Sequence, residues 1–198
     1  MKIEIGGQRN IPGWTELNNR ADESGPNFNI ITDEFDIPDN SVDYFYMSHV
    51  IEHIPIINAE NVLRKMFSKL KTGGKLRITC PDMEIILKAY VNKDKTIFNN
   101  QTWQTGTVPE YYTRLGIGGY VISQFMTGHI NENSDTYLFT ERENGKYICS
   151  FSHVAGWDYE MLHTLLKIVG FSTVERTEFE EMDKHKGLLG QLCVNAYK

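Results

Sequence analysis

A chain of 198 residues, 40% apolar and 12% aromatic, suits one domain over 1–198 with a full core and excludes a disordered polymer. Its formal net charge of −6 argues against a general nucleic-acid or anionic-membrane binder while leaving room for a local basic pocket. Cys80, Cys149 and Cys193 are odd in number and far apart, and with no signal-peptide pattern or membrane-length apolar run they point to reduced thiols and a cytoplasmic setting.

In chain order, Lys2–Ile5 reads as a short strand followed at once by Gly6-Gly7. Trp14–Asn18 and Phe28–Ile31 are weaker strand candidates. Pro38, Asp39 and Asn40 supply a turn, and Val42–Ser48 is then the strongest strand, an apolar and aromatic run that ends abruptly in His49, Glu52 and His53 before Pro55. Val62, Leu63, Met66, Phe67 and Leu70 have the spacing of an amphipathic helix over Ala59–Leu70, with Asn58 as its N-cap. Thr72-Gly73-Gly74 ends that helix, Lys75–Cys80 is a further strand, and Pro81-Asp82 opens a helix over Met83–Val91.

Residues 92–150 break the rhythm. The stretch is polar yet rich in aromatics, and too long for a simple connection. Asp158–Val169 resumes as a helix, capped by Asp158 and stopped by Gly170, and Phe171–Phe179 and Leu189–Tyr197 close the chain as strands. Strands alternating with helices define an α/β fold: a mostly parallel sheet with helices on both faces, whose ligands bind at the carboxyl ends of the strands. His49 lies at such an end, and histidine suits a general base. His153, just before the Asp158 helix, is the alternative base. Buried structural histidines remain the plain reading for both.

Three blocks carry a family resemblance: D-N-S-V-D-Y-F-Y-M-S-H-V-I-E-H-I, then L-K-T-G-G-K-L-R-I-T-C-P-D, then L-H-T-L-L-K-I-V-G-F. In this order they resemble a class I S-adenosylmethionine-dependent methyltransferase. Pro12-Gly13-Trp14, and His153 followed four residues on by Trp157, are similar to small methyltransferases found with glycan-synthesis genes. The resemblance implies a Rossmann-like seven-stranded sheet with the last strand antiparallel, S-adenosyl-L-methionine as cofactor, and an insertion at about 92–150 that covers the substrate. It also implies O-methylation of a sugar hydroxyl on a glycan or nucleotide-sugar and association with glycosyltransferases. A small aromatic acceptor, or a non-catalytic cofactor-binding partner subunit, stays open beside that reading.

Carried over by position, the resemblance assigns the cofactor to Ile5, Gly6, Gly7, Gln8, Asn18, Thr32, Asp33, Phe35, Ser48 and His49. Gln8 and Asn18 stand where the family usually has Gly and Asp. The short path from Gly7 to Trp14 leaves the first helix reduced to a loop or single turn. Trp103, Tyr111, Tyr112 and Arg114 in the insertion are candidates for holding the acceptor, with the insertion's own small core as the alternative for its aromatics. H-x-x-E-H also resembles the E-x-x-E-H metal motif of small-RNA 2′-O-methyltransferases, which implies a divalent metal on His49, Glu52, His53 and His153. The same motif serves zinc hydrolases when it lies within a long helix; Pro55 and the preceding strand oppose that.

Overall fold

The computed structural model describes residues 1–7, 11–18, 28–94, 96, 118, 121, 153–183 and 190–198. Their elements run β1 (Lys2–Ile5), β2 (Thr15–Leu17), β3 (Val42–Ser48), a single 3-10 turn (Ile51–His53), α1 (Ile56–Lys69), β4 (Leu70–Pro81), α2 (Met83–Val91), α3 (Tyr159–Val169), β5 (Thr173–Arg176) and β6 (Gln191–Tyr197). They build one mixed sheet of six described strands in the order β2-β1-β3-β4-β6-β5. β1, β2, β3 and β4 are parallel, and β6 runs antiparallel to both β4 and β5. The antiparallel last strand is as expected.

Side-chain alternation divides the sheet into two unlike faces. Phe45, Met47, Leu76, Ile78, Cys80, Leu192, Val194 and Ala196 point to one side. There they join Val62, Leu63 and Met66 of α1 and Leu162, Leu166 and Val169 of α3 in one apolar cluster. Phe67 meets Phe171 edge-on at 5.0 Å across the α1–α3 seam. The other side carries Tyr44, Tyr46, Arg77 and Asn195, and residues 177–183 lie over it. Tyr46 Oη donates to the Met182 carbonyl at 3.3 Å, and Trp14 packs edge-on against Tyr44 at 4.9 Å.

Arg77 anchors this second layer from the middle of β4, its side chain wholly buried. Nε donates to Asp183 Oδ1 at 2.8 Å, Nη1 to Thr177 Oγ1 and Asn195 Oδ1 at 2.9 and 3.0 Å, and Nη2 to the Glu178 carbonyl at 3.0 Å and to Asp183 Oδ2. All five guanidinium N–H groups are thereby used.

The structure corrects several boundaries. Phe28–Ile31 is not a strand: residues 29–33 close a turn in which Thr32 N and Asp33 N donate to the Asn29 carbonyl. The expected seventh strand is therefore absent among the described residues. α1 begins at Ile56, and Pro55, not Asn58, occupies its cap position. Proline suits a helix entrance because the first N–H groups lack intrahelical partners. α1 also ends one residue early, since Leu70 already pairs with Val42; the register then shifts so that Lys75 faces Tyr44. Thr72-Gly73-Gly74 is thus an irregularity inside β4, with Gly73 at φ +76°. β5 and β6 are shorter than expected. The expected cap of α2 holds, with Asp82 accepting from Glu84 N and Ile85 N. Asp158 caps α3 by accepting from Met161 N, and Gly170 ends it at φ +122°. Apart from residues 92–94, 96, 118 and 121, the stretch 92–150 lies outside the described residues.

Candidate functional site

The carboxyl ends of β1, β3 and β4 lie side by side, with Ile5 opposite Met47 and Ser48 opposite Thr79. β1 ends at the buried Ile5 and turns at Gly6, whose φ is +70° and whose N–H donates to the Leu17 carbonyl at 2.8 Å. A Cβ at Gly6 would lie 2.5 Å from Val50 Cγ2, and one at Gly7 would lie 2.2 Å from Glu4 Cδ. The bare backbone lets Val50, next to His49, and the buried Glu4 close onto the turn. Gly6→Ala combines a left-handed φ with collision against a stiff branched side chain. It should cost about 1–3 kcal/mol and lower the urea midpoint.

Asn18 braces the same turn by donating from Nδ2 to the Gly7 carbonyl at 2.8 Å. An aspartate in its ionised form has no proton for that bond. Thr32 and Asp33 serve the turn that replaces the third strand. The Asp33 carboxylate accepts from Asn29 N at 2.9 Å and Thr32 Oγ1 at 3.0 Å, and its carbonyl accepts from Lys65 Nζ at 2.7 Å. Phe35 is buried between Phe28 and Phe45, with ring centroids at 5.0 and 5.6 Å. Ser48 Oγ and Thr79 Oγ1 are hydrogen-bonded to each other at 2.7 Å. Of the other candidates, Gln8, Trp103, Tyr111, Tyr112 and Arg114 lie outside the described residues.

The chain leaves β3 through His49, held at φ +53° with its N–H on the Thr79 carbonyl at 2.8 Å. A left-handed histidine is uncommon, and it redirects the chain into the 3-10 turn that presents Glu52 and His53. Residues 153–157 then lace across that turn. Val154 N and Ala155 N both donate to the Glu52 carbonyl, at 2.8 and 3.1 Å, and the buried Trp157 donates from Nε1 to the Ile51 carbonyl at 3.2 Å. Met83 N donates to the Trp157 carbonyl at 2.8 Å, which ties the segment to the head of α2. The spacing of His153 and Trp157 acquires a physical meaning: the indole is the anchor, and the imidazole is what it delivers.

Four expected residues therefore meet from two distant parts of the sequence. His49 Nδ1 lies 3.1 Å from Glu52 Oε1, and His153 Nε2 lies 4.0 Å from the same oxygen. The His53 and His153 rings meet edge-on at 4.9 Å. One ligand atom each from Glu52, His53 and His153 falls within 4.8 Å of the others. His49 stands outside that trio, against Glu52. An ionised Glu52 places the His49 proton on Nδ1 and leaves the lone pair on Nε2.

Burial by itself would raise the Glu52 carboxyl. The hydrogen bond and charge of His49, with His53 and His153 beyond it, outweigh burial and hold it at about 2 against an ordinary 4.5. A carboxyl whose folded value is depressed adds stability that is complete above the unfolded value and is lost as pH falls toward the folded one. Glu52 should thus contribute about 3 kcal/mol near neutrality, eroding below pH 4.5 toward about 2. Urea midpoints of chelator-treated protein should fall across this window, and more steeply than those of Glu52→Gln.

Sequence reasoning missed Val50 and Glu4 as walls of the glycine turn and Thr79 as partner to both Ser48 and His49. Only the alternation of β4, K-L-R-I-T-C, signals that Thr79 faces away from the apolar core.

A methyltransferase domain family matches residues 15–78. No curated protein matches the chain. Among solved structures, a S-adenosylmethionine-dependent methyltransferase of Thermotoga maritima, described as a possible histamine N-methyltransferase, is similar over 100% of this chain and 81% of its own, at TM-score 0.53 and 14% identity. A methyltransferase of Archaeoglobus fulgidus is similar over 100% and 85%, at TM-score 0.53 and 15% identity. DhpI in complex with S-adenosylhomocysteine is similar over 98% and 74%, at TM-score 0.51 and 12% identity. The chain thus has the fold of S-adenosylmethionine-dependent methyltransferases. Within that fold, a methyltransferase domain match spans β2, β3, α1 and most of β4. Among the described residues, no helix is long and apolar enough to cross a membrane.

Proposed function

We propose that the protein is an S-adenosylmethionine-dependent O-methyltransferase acting on a sugar hydroxyl, with His49 as the general base. The observation that carries this reading is the Glu52–His49 pair at the carboxyl end of β3, immediately beside the Gly6 turn through Val50. Gly6, Gly7 and Asn18 form the edge where the cofactor is held; Asn18 spends Nδ2 on Gly7, so its Oδ1 is the atom to meet a ribose hydroxyl. The cofactor, when bound, supplies an electrophilic methyl group. Glu52 fixes the His49 ring, and His49 Nε2 takes the proton of the acceptor hydroxyl as its oxygen attacks. Trp103, Tyr111, Tyr112 and Arg114 of the insertion belong to the acceptor side of this proposal.

Calorimetric titration with S-adenosylhomocysteine tests the reading. Saturable one-to-one binding, followed by methyl transfer to hydroxylated sugars, is the expected result. No binding at millimolar ligand overturns it, and binding without turnover on any acceptor makes the chain a non-catalytic cofactor-binding subunit.

A further inference from the structure

We infer that Glu52, His53 and His153 form a site for one divalent transition metal. Three donors of suitable chemistry converge, with one ligand atom from each lying within 4.8 Å of the others. Donors at the roughly 2.0–2.2 Å bond lengths of imidazole and carboxylate ligands stand at most about 4.4 Å apart on one ion, so the three side chains close by a few tenths of an ångström or more to take it up. One carboxylate and two imidazoles leave coordination positions open, as catalytic sites do. Two neutral nitrogen donors favour zinc, iron(II), cobalt or manganese over magnesium and calcium, which prefer oxygen.

The convergence is built by the fold. Glu52 and His53 share the 3-10 turn, which holds their relative positions. His153 comes from 100 residues further on and is brought in by the Val154, Ala155 and Trp157 hydrogen bonds to that turn. Glu52 is 2% exposed, so its carboxylate sits where water competes poorly for it. His49 is not one of the trio, and its Nδ1 lies 3.1 Å from Glu52 Oε1, the contact of an outer partner that orients a ligating carboxylate.

Resting on the methyltransferase reading, the open positions define a substrate class. A metal held by Glu52, His53 and His153 would supply a Lewis acid for a sugar diol and would lower the pKa of the hydroxyl that is methylated. Its proton goes to His49, the new oxygen–carbon bond forms as the sulfur–carbon bond breaks, and the electron pair stays on sulfur.

The test uses the full chain, stripped with chelator and titrated with cobalt(II) by absorption and with zinc by calorimetry. S-adenosylhomocysteine binding is measured on the same samples. One equivalent of metal is expected. Glu52→Gln, His53→Ala and His153→Ala should each weaken it by more than the roughly 10–100-fold that loss of an outer partner costs. His163→Ala, on α3 against Tyr159, should leave it unchanged. A circular-dichroism melt on each variant separates ligand loss from unfolding, and His153, on a loop and partly exposed, is the variant expected to keep its fold. No metal uptake at millimolar concentration overturns the inference, as does uptake with equal affinity in the parent and all three ligand variants. If metal binds while S-adenosylhomocysteine does not, the cofactor reading fails and the metal site stands.

Discussion

Asp183→Ala should destabilise the protein by about 3–5 kcal/mol, because it removes the buried carboxylate of a wholly buried Arg77 guanidinium and leaves only the partly exposed Glu180, 3.1 Å from Nη1, to balance the charge. Against a total of about 5–15 kcal/mol for a domain, that is a large fraction. For a chain of this length it corresponds to a drop in melting temperature of about 6–20 °C. Burial alone would lower the Arg77 pKa, and the hydrogen bonds and charge of Asp183, with Glu180 beyond, reverse that and raise it. The charge is therefore held by its partners. Arg77→Met with Asp183→Leu removes both charges together and should recover most of the lost stability, since apolar replacements of similar volume often match a buried pair. An unchanged melting temperature in Asp183→Ala would mean that Glu180, with Thr177, Asn195 and the Glu178 carbonyl, suffices to hold Arg77.

That network also marks where the sequence stops being legible. The apolar face could be read in advance because burial of one stripe imposes a period: α2 and α3 lie where the helical spacing and their Asp caps place them. β1 and β3 likewise fall on the expected residues. The polar face could not. Lys75, Arg77 and Thr79 alternate with Leu76, Ile78 and Cys80, which shows two unlike faces, but nothing local reveals that Asp183, over 100 residues on, receives the arginine. Phe28–Ile31 failed for a related reason. A short apolar run has no period of its own, and the Asn29–Asp33 turn took the backbone groups that a strand would have paired. The site was more legible than the second face. His49, Glu52 and His53 are close in sequence, whereas His153 was suggested only by its place before the Asp158 helix, by its spacing to Trp157 and by the family resemblance. Its contact with the trio depends on the indole bond to the Ile51 carbonyl, which no pattern foretells.

His49→Ala should lower kcat by about 10²–10⁴-fold, the usual contribution of a positioned base, while the KM for S-adenosylmethionine moves far less. Two features single out this residue over its neighbours. It alone of the three histidines lies outside the Glu52–His53–His153 trio, so an ion held by that trio would not claim its imidazole. It also holds a left-handed conformation that a non-glycine residue adopts at a cost of about 1–3 kcal/mol. Strain of that kind persists where the surroundings impose it, and here the Thr79 carbonyl and the Glu52 carboxylate do so from two sides. His49→Gly relieves the strain and removes the base together. It should therefore be at least as stable as His49→Ala and equally slow. If His49 is the base, added imidazole should restore part of the rate in both variants by taking the place that the ring leaves. His153→Ala provides the contrast: added metal at high concentration should restore its rate, and imidazole alone should not. Rescue of His49→Ala by metal without imidazole would move the base elsewhere and leave His49 as a positioning residue for Glu52.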